Sequence, residues 1–211
     1  MGESKTVKIL VTGFEPFGGE SRNPSAEVVA ALPDTIAGAE IVKRILPVTR
    51  GESSRMVAEA VEEHRPDVVL SIGQAGGRAA VSIERVAINL EDYSIPDNGG
   101  NQPQEQPVVE GGPAAYLSRL PVKKMAEAIR EAGIPGEVSL SAGAYVCNHV
   151  LYSTTHLLAE KYPHARAGFI HIPFVPEQTA DKPGNVPSLS LEQSTRAVEI
   201  AVETVVKGLV G

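Results

Sequence analysis

One cysteine, five histidines and a carboxylate set in an apolar strand are the residues of this 211-residue chain best suited to covalent chemistry. Cys147 follows Ser141-Ala142-Gly143-Ala144-Tyr145-Val146, where small residues allow a tight turn, and a helix begins at about the cysteine. Backbone N–H groups and the dipole at a helix start favour a thiolate, which lowers the pKa and makes a nucleophile. The competing reading is a buried, inert thiol, the ordinary fate of a lone cysteine. A base decides between the two. His149 lies two residues on along the same helix, where side chains do not face each other, and His156 is roughly 13 Å along the axis. His64 and His164 stand close to prolines at element ends and read as surface residues. His171, in Phe169-Ile170-His171-Ile172-Pro173, is buried near the carboxyl end of an apolar strand, and with a cysteine facing the same edge it is the preferred base. Glu84 sits among Val86, Ile88 and Leu90 on one face of a strand read over Val81 to Leu90, where an unpaired carboxylate is costly. Arg85 points to the opposite face of that strand, so a histidine is the better partner. The set Glu84, Cys147, His171 has the logic of a nucleophile, a base and a group that orients the base.

The elements that must bring these residues together alternate along the chain. Short apolar runs at Val7–Val11, Glu40–Pro47, Asp67–Ile72, Val81–Leu90, Glu137–Leu140 and Gly168–Pro173 read as strands. Helices are predicted over Asn23–Leu32, with proline in its favoured first turn, and over Glu52–His64, Lys123–Ala132, Val146–Lys161 and Leu191–Leu209. Strands alternating with helices give an α/β fold with a mostly parallel sheet, and ligands of such sheets sit at the carboxyl ends of the strands. Residues 1–211 read as a single domain. The segment from Asp92 to Gly112, rich in Pro, Gly, Asn and Gln, has no periodicity and is expected to be functional or mobile.

Composition removes several classes of function. Nineteen basic against twenty-six acidic residues leave a net charge of −7, the wrong sign for a nucleic-acid binder. Tryptophan is absent and aromatics make up 4%, so a base-stacking platform is missing as well. A lone cysteine can form neither an intrachain disulfide nor a multi-cysteine zinc site. No apolar run reaches the length of a membrane span, and Met1 to Lys8 lacks the apolar core of a secretory signal. A reduced, cytoplasmic protein without membrane contact is expected.

Two glycine-rich turns, Gly13-Phe14-Glu15-Pro16-Phe17-Gly18-Gly19 and Gly73-Gln74-Ala75-Gly76-Gly77-Arg78, fit neither the dinucleotide fingerprint nor a phosphate loop. As walls of a small-molecule pocket they make sense, since a phenylalanine in a loop needs something packed on it. With Asn23-Pro24-Ser25, Glu84-Arg85-Val86-Ala87-Ile88-Asn89, Ile95-Pro96-Asp97-Asn98, Gly111-Gly112-Pro113-Ala114-Ala115-Tyr116, Val146-Cys147-Asn148-His149, Phe169 to Pro173 and Pro176-Glu177-Gln178, these turns closely resemble the pyroglutamyl peptidase I family of cysteine exopeptidases. The matching stretches run in the family's order over essentially the whole chain. The resemblance implies a three-layer α/β/α sandwich, commonly a homotetramer, and removal of an N-terminal pyroglutamyl residue from peptides. It also implies a glutamate–cysteine–histidine triad on Glu84, Cys147 and His171, and calls for no metal or organic cofactor. Resemblance and chemistry together assign Phe14, Phe17, Ile95, Tyr145 and Val146 to the pocket walls and Asn23 and Gln74 to its polar contacts. The oxyanion is assigned to the Cys147 N–H, with a second donor from the Gly73–Arg78 turn or Arg85.

Two departures stand out: Tyr145 where relatives often carry phenylalanine, and Tyr93-Ser94 where many carry Ala-Arg. The loss of that arginine bears on substrate gating and rate. Rival readings are a non-catalytic or nucleoside-type α/β binding protein with an inert Cys147, and an inactive relative acting through an oligomer surface. A serine hydrolase is disfavoured because no Gly-x-Ser-x-Gly elbow occurs.

Overall fold

The computed structural model describes residues 6–210; the opening residues, read above as running without a leader into the first strand, lie partly outside that range. In chain order the elements are β1 (Lys8–Phe14), α1 (Pro24–Ala31), β2 (Thr35–Ile36), β3 (Ala39–Leu46), α2 (Glu52–His64), β4 (Val68–Gln74), β5 (Val81–Glu84), β6 (Val86–Ile88), β7 (Ala115–Leu117), α3 (Val122–Glu131), β8 (Gly136–Ser139), α4 (Val146–Lys161), β9 (Arg166–Ile172), α5 (Pro176–Thr179) and α6 (Leu191–Val210). Seven strands form one sheet in the order β2-β3-β1-β4-β9-β5-β8. The pairings β3-β1, β1-β4, β4-β9 and β5-β8 are parallel, while β2-β3 and β5-β9 are antiparallel. The expected three-layer arrangement with a mostly parallel sheet is therefore what forms. Among the described residues no helix is long and apolar enough to cross a membrane.

Alternation along the central strands divides the core between two faces. Ile9, Val11, Val68, Leu70, Ile72, Val81, Ile83, Ile170 and Ile172 pack against α1, α3 and α6. Leu10, Phe14, Val69, Ala167 and Phe169 pack against α2 and α4. The second face carries the chemistry, because its buried polar residues gather toward the carboxyl edge. In register, Thr12 stands beside Ser71, Gly73 beside His171, and His171 beside Ser82.

Local signals set the element ends. Asn23 caps α1 by accepting from the Ser25 N–H at 3.1 Å, with Pro24 next in line. Gly133, at a φ of 78°, takes the left-handed position after α3 that glycine tolerates best.

Two expectations are corrected. The strand read over Val81 to Leu90 breaks at Arg85: β5 stays in the main sheet, whereas β6 pairs with β7 in a separate two-stranded sheet. The Arg85 N–H donates to the Ser139 carbonyl at 2.8 Å and its carbonyl accepts from the Ser118 N–H at 2.9 Å, which turns the chain out of the sheet. Glu84 and Val86 thus belong to different sheets. Second, Phe14 is the last residue of β1 and lies in the core, 2% exposed, rather than in a loop. The segment from Asp92 to Gly112, expected to be functional or mobile, is hydrogen-bonded to the rest of the fold. Asp97 accepts the backbone N–H groups of Arg50, Gly99 and Asn101 at 2.6–2.9 Å, and the Asn89 side chain spans Val109 and Gly112.

Candidate active site

Glu84 is the last residue of β5, and His171 is the penultimate residue of β9. In the antiparallel β5-β9 pair Ser82 stands opposite His171, so Glu84, two residues on and on the same face, is the diagonal neighbour within reach of a long side chain. The His171 Nδ1–H donates to Glu84 Oε1 at 2.7 Å, because a carboxylate can only accept. The tautomer follows: Nε2 is left without a proton and is available as a base.

On the other side of His171 in the sheet is Gly73. A Cβ there would lie 3.1 Å from Cys147 Sγ and 2.8 Å from two carbons of the Phe169 ring. The absent side chain is thus the seat into which the sulfur of Cys147 fits, one strand from the imidazole. Phe169 packs at a tilt against the His171 ring, 4.7 Å between centroids, and against Phe14 at 6.1 Å, forming the floor of the site. Cys147 is the second residue of α4, so its N–H is among the four at a helix start that have no intrahelical acceptor.

A cation completes the cluster. Arg78 donates from one terminal nitrogen to Glu84 Oε1 at 2.7 Å and from the other to the Ser141 carbonyl at 3.0 Å. It therefore joins the carboxylate to the turn that leads into Cys147. Sequence reasoning weighed Arg85 as the ionic partner of Glu84 and missed Arg78, whose glycine-rich turn gives no periodicity from which to infer its direction.

Electrostatics correct one expectation. Burial works against charge on Glu84, but the His171 hydrogen bond and charge, with Arg78, outweigh it and hold the carboxyl below its usual range. Burial pushes His171 below its usual value and outweighs the Glu84 carboxylate. Burial, followed by the nearby Glu84 charge, pushes the Cys147 thiol up to about 12, against the opposing effect of Arg78 and the helix-start backbone. The helix start does act in the expected direction, but burial overrides it. Both shifts favour the neutral forms, a thiol and an uncharged imidazole.

Beside the sulfur, Phe14, Phe17, Asn23, Val48, Gln74, Tyr145, Val146 and Cys147 line a narrow, mostly apolar recess whose free volume, about 10 Å³, is that of a single water. A ring entering it has to press these walls apart. Six of the seven assigned pocket residues line it. Ile95 does not: it is half exposed and sits over Gly18 at the rim. Asn23 lines the recess but spends its amide inward, donating to the Glu15 carbonyl and accepting from Ser25. Val48 was not foreseen; it follows a strand in a segment with no chemical signature. The hydroxyl that distinguishes Tyr145 from phenylalanine donates to the Pro96 carbonyl at 3.1 Å. Behind it, Tyr93 is wholly buried, packs edge-on against the Tyr145 ring at 4.7 Å and donates to Glu91 at 2.8 Å. Glu91 is held in turn by Arg50 and His149, so His149 serves the wall and not the sulfur. Ser94 is exposed.

A cysteine at a helix start, a histidine held by a buried carboxylate, and an apolar recess at the carboxyl edge of an α/β/α sheet are the arrangement that the class of thiol-dependent hydrolases requires. Within it, the chain belongs to the pyroglutamyl peptidase family, whose model matches residues 7–208. It is 54% identical over 200 residues to the pyrrolidone-carboxylate peptidase of Levilactobacillus brevis, covering 95% of this chain and 98% of that one. The crystal structure of Bacillus amyloliquefaciens pyroglutamyl peptidase I superposes with a TM-score of 0.91 at 46% identity, covering 95% of this chain and 97% of that chain. The pyrrolidone carboxyl peptidase of Pyrococcus furiosus gives 0.92 at 43% identity, over 96% and 100% of the two chains.

Proposed function

We propose that the protein removes an N-terminal L-pyroglutamyl residue from peptides through an acyl-enzyme on Cys147. The observation that carries this is the row Gly73–His171–Glu84 under the sulfur, beside a recess lined by apolar side chains. Family membership supplies the substrate class.

The ring of pyroglutamate is neutral, which matches a recess walled by Phe14, Phe17, Val48, Tyr145 and Val146 with amide groups as its polar contacts. His171 Nε2 takes the thiol proton as Sγ bonds to the pyroglutamyl carbonyl carbon. The Cys147 N–H meets the oxygen as it gains charge. His171 then gives that proton to the departing amine, the C–N bond breaks, and a thioester remains on Cys147. Water attacks the thioester, passing a proton to His171, and the thiol is restored as pyroglutamate leaves. Glu84 keeps Nδ1 protonated and stabilises the imidazolium formed at each transfer. The His171 hydrogen bond, with Arg78 beside it, keeps Glu84 ionised.

The test is release of a fluorophore from an L-pyroglutamyl amide beside the matching L-prolyl amide, with Cys147→Ala as control. Cleavage of the pyroglutamyl substrate alone, lost in the variant, is expected. Cleavage that survives the substitution would break the assignment of the nucleophile. No cleavage by folded, reduced protein would favour the binding-protein reading.

A further inference from the structure

Gln178 lies in α5, a short helix that follows the strand bearing His171, and it reaches across 104 positions of sequence to Gln74 in the recess. Both side chains are nearly buried, at 9% and 6% exposed, so each amide has a definite hydrogen-bond arrangement to satisfy. The two ends of an amide are told apart by their partners, and here the partners leave no freedom. The Val175 N–H can only donate, and it meets Gln178 Oε1 at 3.2 Å. The carboxylate of Glu20, held ionised chiefly by its hydrogen bond to Lys182, can only accept, and it faces Gln178 Nε2 at 3.2 Å. Gln178 therefore points Nε2 toward Gln74, and Gln74 must answer with Oε1, at 2.8 Å. Turning Gln178 over would set donor against donor at Val175 and acceptor against acceptor at Glu20. Once Gln74 Oε1 is taken, the atoms it has left for the recess are the two hydrogens of Nε2, which have no partner among the described residues.

We infer that Gln178 is a specificity-positioning residue: it locks the Gln74 amide so that the recess presents a hydrogen-bond donor and selects a ligand ring bearing a carbonyl. The inference rests on the pyroglutamyl reading above. The lactam carbonyl of pyroglutamate supplies the acceptor. A proline ring of the same size has none, and a buried donor left unpaired is what rejects it. Segment 171–178 thus carries both the base and the device that sets the ring chosen.

The experiment is a double-substitution cycle on KM for an L-pyroglutamyl amide, using Gln178→Met and Gln74→Met. Gln178→Met alone is expected to raise KM about threefold to tenfold, the worth of one ordinary hydrogen bond, with kcat within about twofold of the parent. Its preference over the prolyl amide narrows by the same factor. In the Gln74→Met background the same substitution is expected to leave KM unchanged. An equal rise in both backgrounds would make Gln178 a structural prop acting independently of Gln74 and would overturn the inference, as would no rise in either. Neutron diffraction of the deuterated, ligand-free protein reads the amide directly: deuterons on the recess side of Gln74 support the lock, and a carbonyl there refutes it. If the wild-type protein cleaves no pyroglutamyl substrate, the proposed reaction fails, while the neutron result still decides the orientation on its own.

Discussion

Replacing Gly73 by alanine tests whether the sulfur is seated by the absence of a side chain. Gly73 does not have a positive φ, so alanine meets no backbone penalty and any effect is one of packing. The added methyl would lie 2.8 Å from Phe169 Cε1 and Cζ and 3.1 Å from Cys147 Sγ. Comfortable carbon contacts are about 3.5–4.0 Å, so the ring or the methyl must yield by roughly 0.7–1.2 Å. Phe169 is fully buried and wedged between Phe14 and His171. Overpacking of this kind costs about 1–3 kcal/mol, which at ~2–4 °C per kcal/mol lowers Tm by roughly 2–12 °C. The sulfur is the softer neighbour to displace, and a shift approaching 1 Å costs on the order of 10²-fold in rate. The expected result is a kcat about 100-fold lower with KM within a few-fold, because the methyl lies under the sulfur and not in the recess. Gly168→Ala is the control: its Cβ would meet Leu120 Cδ1 at 2.3 Å on the opposite face of the sheet, so Tm should fall while kcat holds. Steady-state kinetics with a fluorogenic pyroglutamyl amide, beside a thermal melt of each variant, reads both quantities. A Gly73→Ala protein that loses stability but keeps its parent kcat would refute the seat, as would one unchanged in both.

Three further outcomes are expected. Glu84→Gln keeps an acceptor for the His171 Nδ1–H but removes the charge shared with Arg78, so kcat should drop by about 10³–10⁴ with little change in KM. Asn148, fully buried, accepts from the Ile88 N–H and donates to the Ile88 and Leu90 carbonyls; Asn148→Ala leaves those groups unpaired and should destabilise by about 1–3 kcal/mol, seen as a lower denaturant midpoint. Because burial holds folded His171 below its usual 6.5, the unfolded chain binds a proton there that the folded protein does not, and stability should fall as pH drops from 6.5 toward the folded value. Glu84, also held down, extends the loss below pH 4.5; because His171 is the chief group holding it down, His171→Asn should flatten the upper part of a denaturation-versus-pH curve and weaken the lower part as well.

The sequence made the partnership of Glu84 and His171 legible for a reason that does not depend on details of the strand. A carboxylate and an imidazole both embedded in apolar runs must find partners, and that remained true although the strand bearing Glu84 ends one residue later. The break at Arg85 was hidden because Val86 and Ile88 continue the alternation while pairing with β7, a strand lying in sequence that reads as irregular. The start of α4 at the cysteine was readable from the small residues before it. The state of the thiol was not, since a helix start is a local property, whereas the burial that raises its pKa depends on Phe169, Gly73 and the sheet beneath. Order in the Asp92–Gly112 segment had a local clue in Asp97-Asn98-Gly99, a carboxylate before small, turn-forming residues. Gln178 carried no signal of its own beyond a place in a motif, because its meaning lies in a contact with Gln74 that only the fold creates.

The central claim is that Cys147 carries the acyl group, and rapid acid quenching of enzyme mixed with excess L-pyroglutamyl thioester or activated ester, followed by peptide-resolved mass spectrometry, tests it most directly. The account predicts one pyroglutamyl adduct, on the peptide containing Cys147, that forms within a turnover, disappears as substrate is exhausted and is absent from Cys147→Ala. An adduct on any other residue, or full turnover with no adduct at Cys147 under conditions where the ester is consumed in a burst, would contradict it.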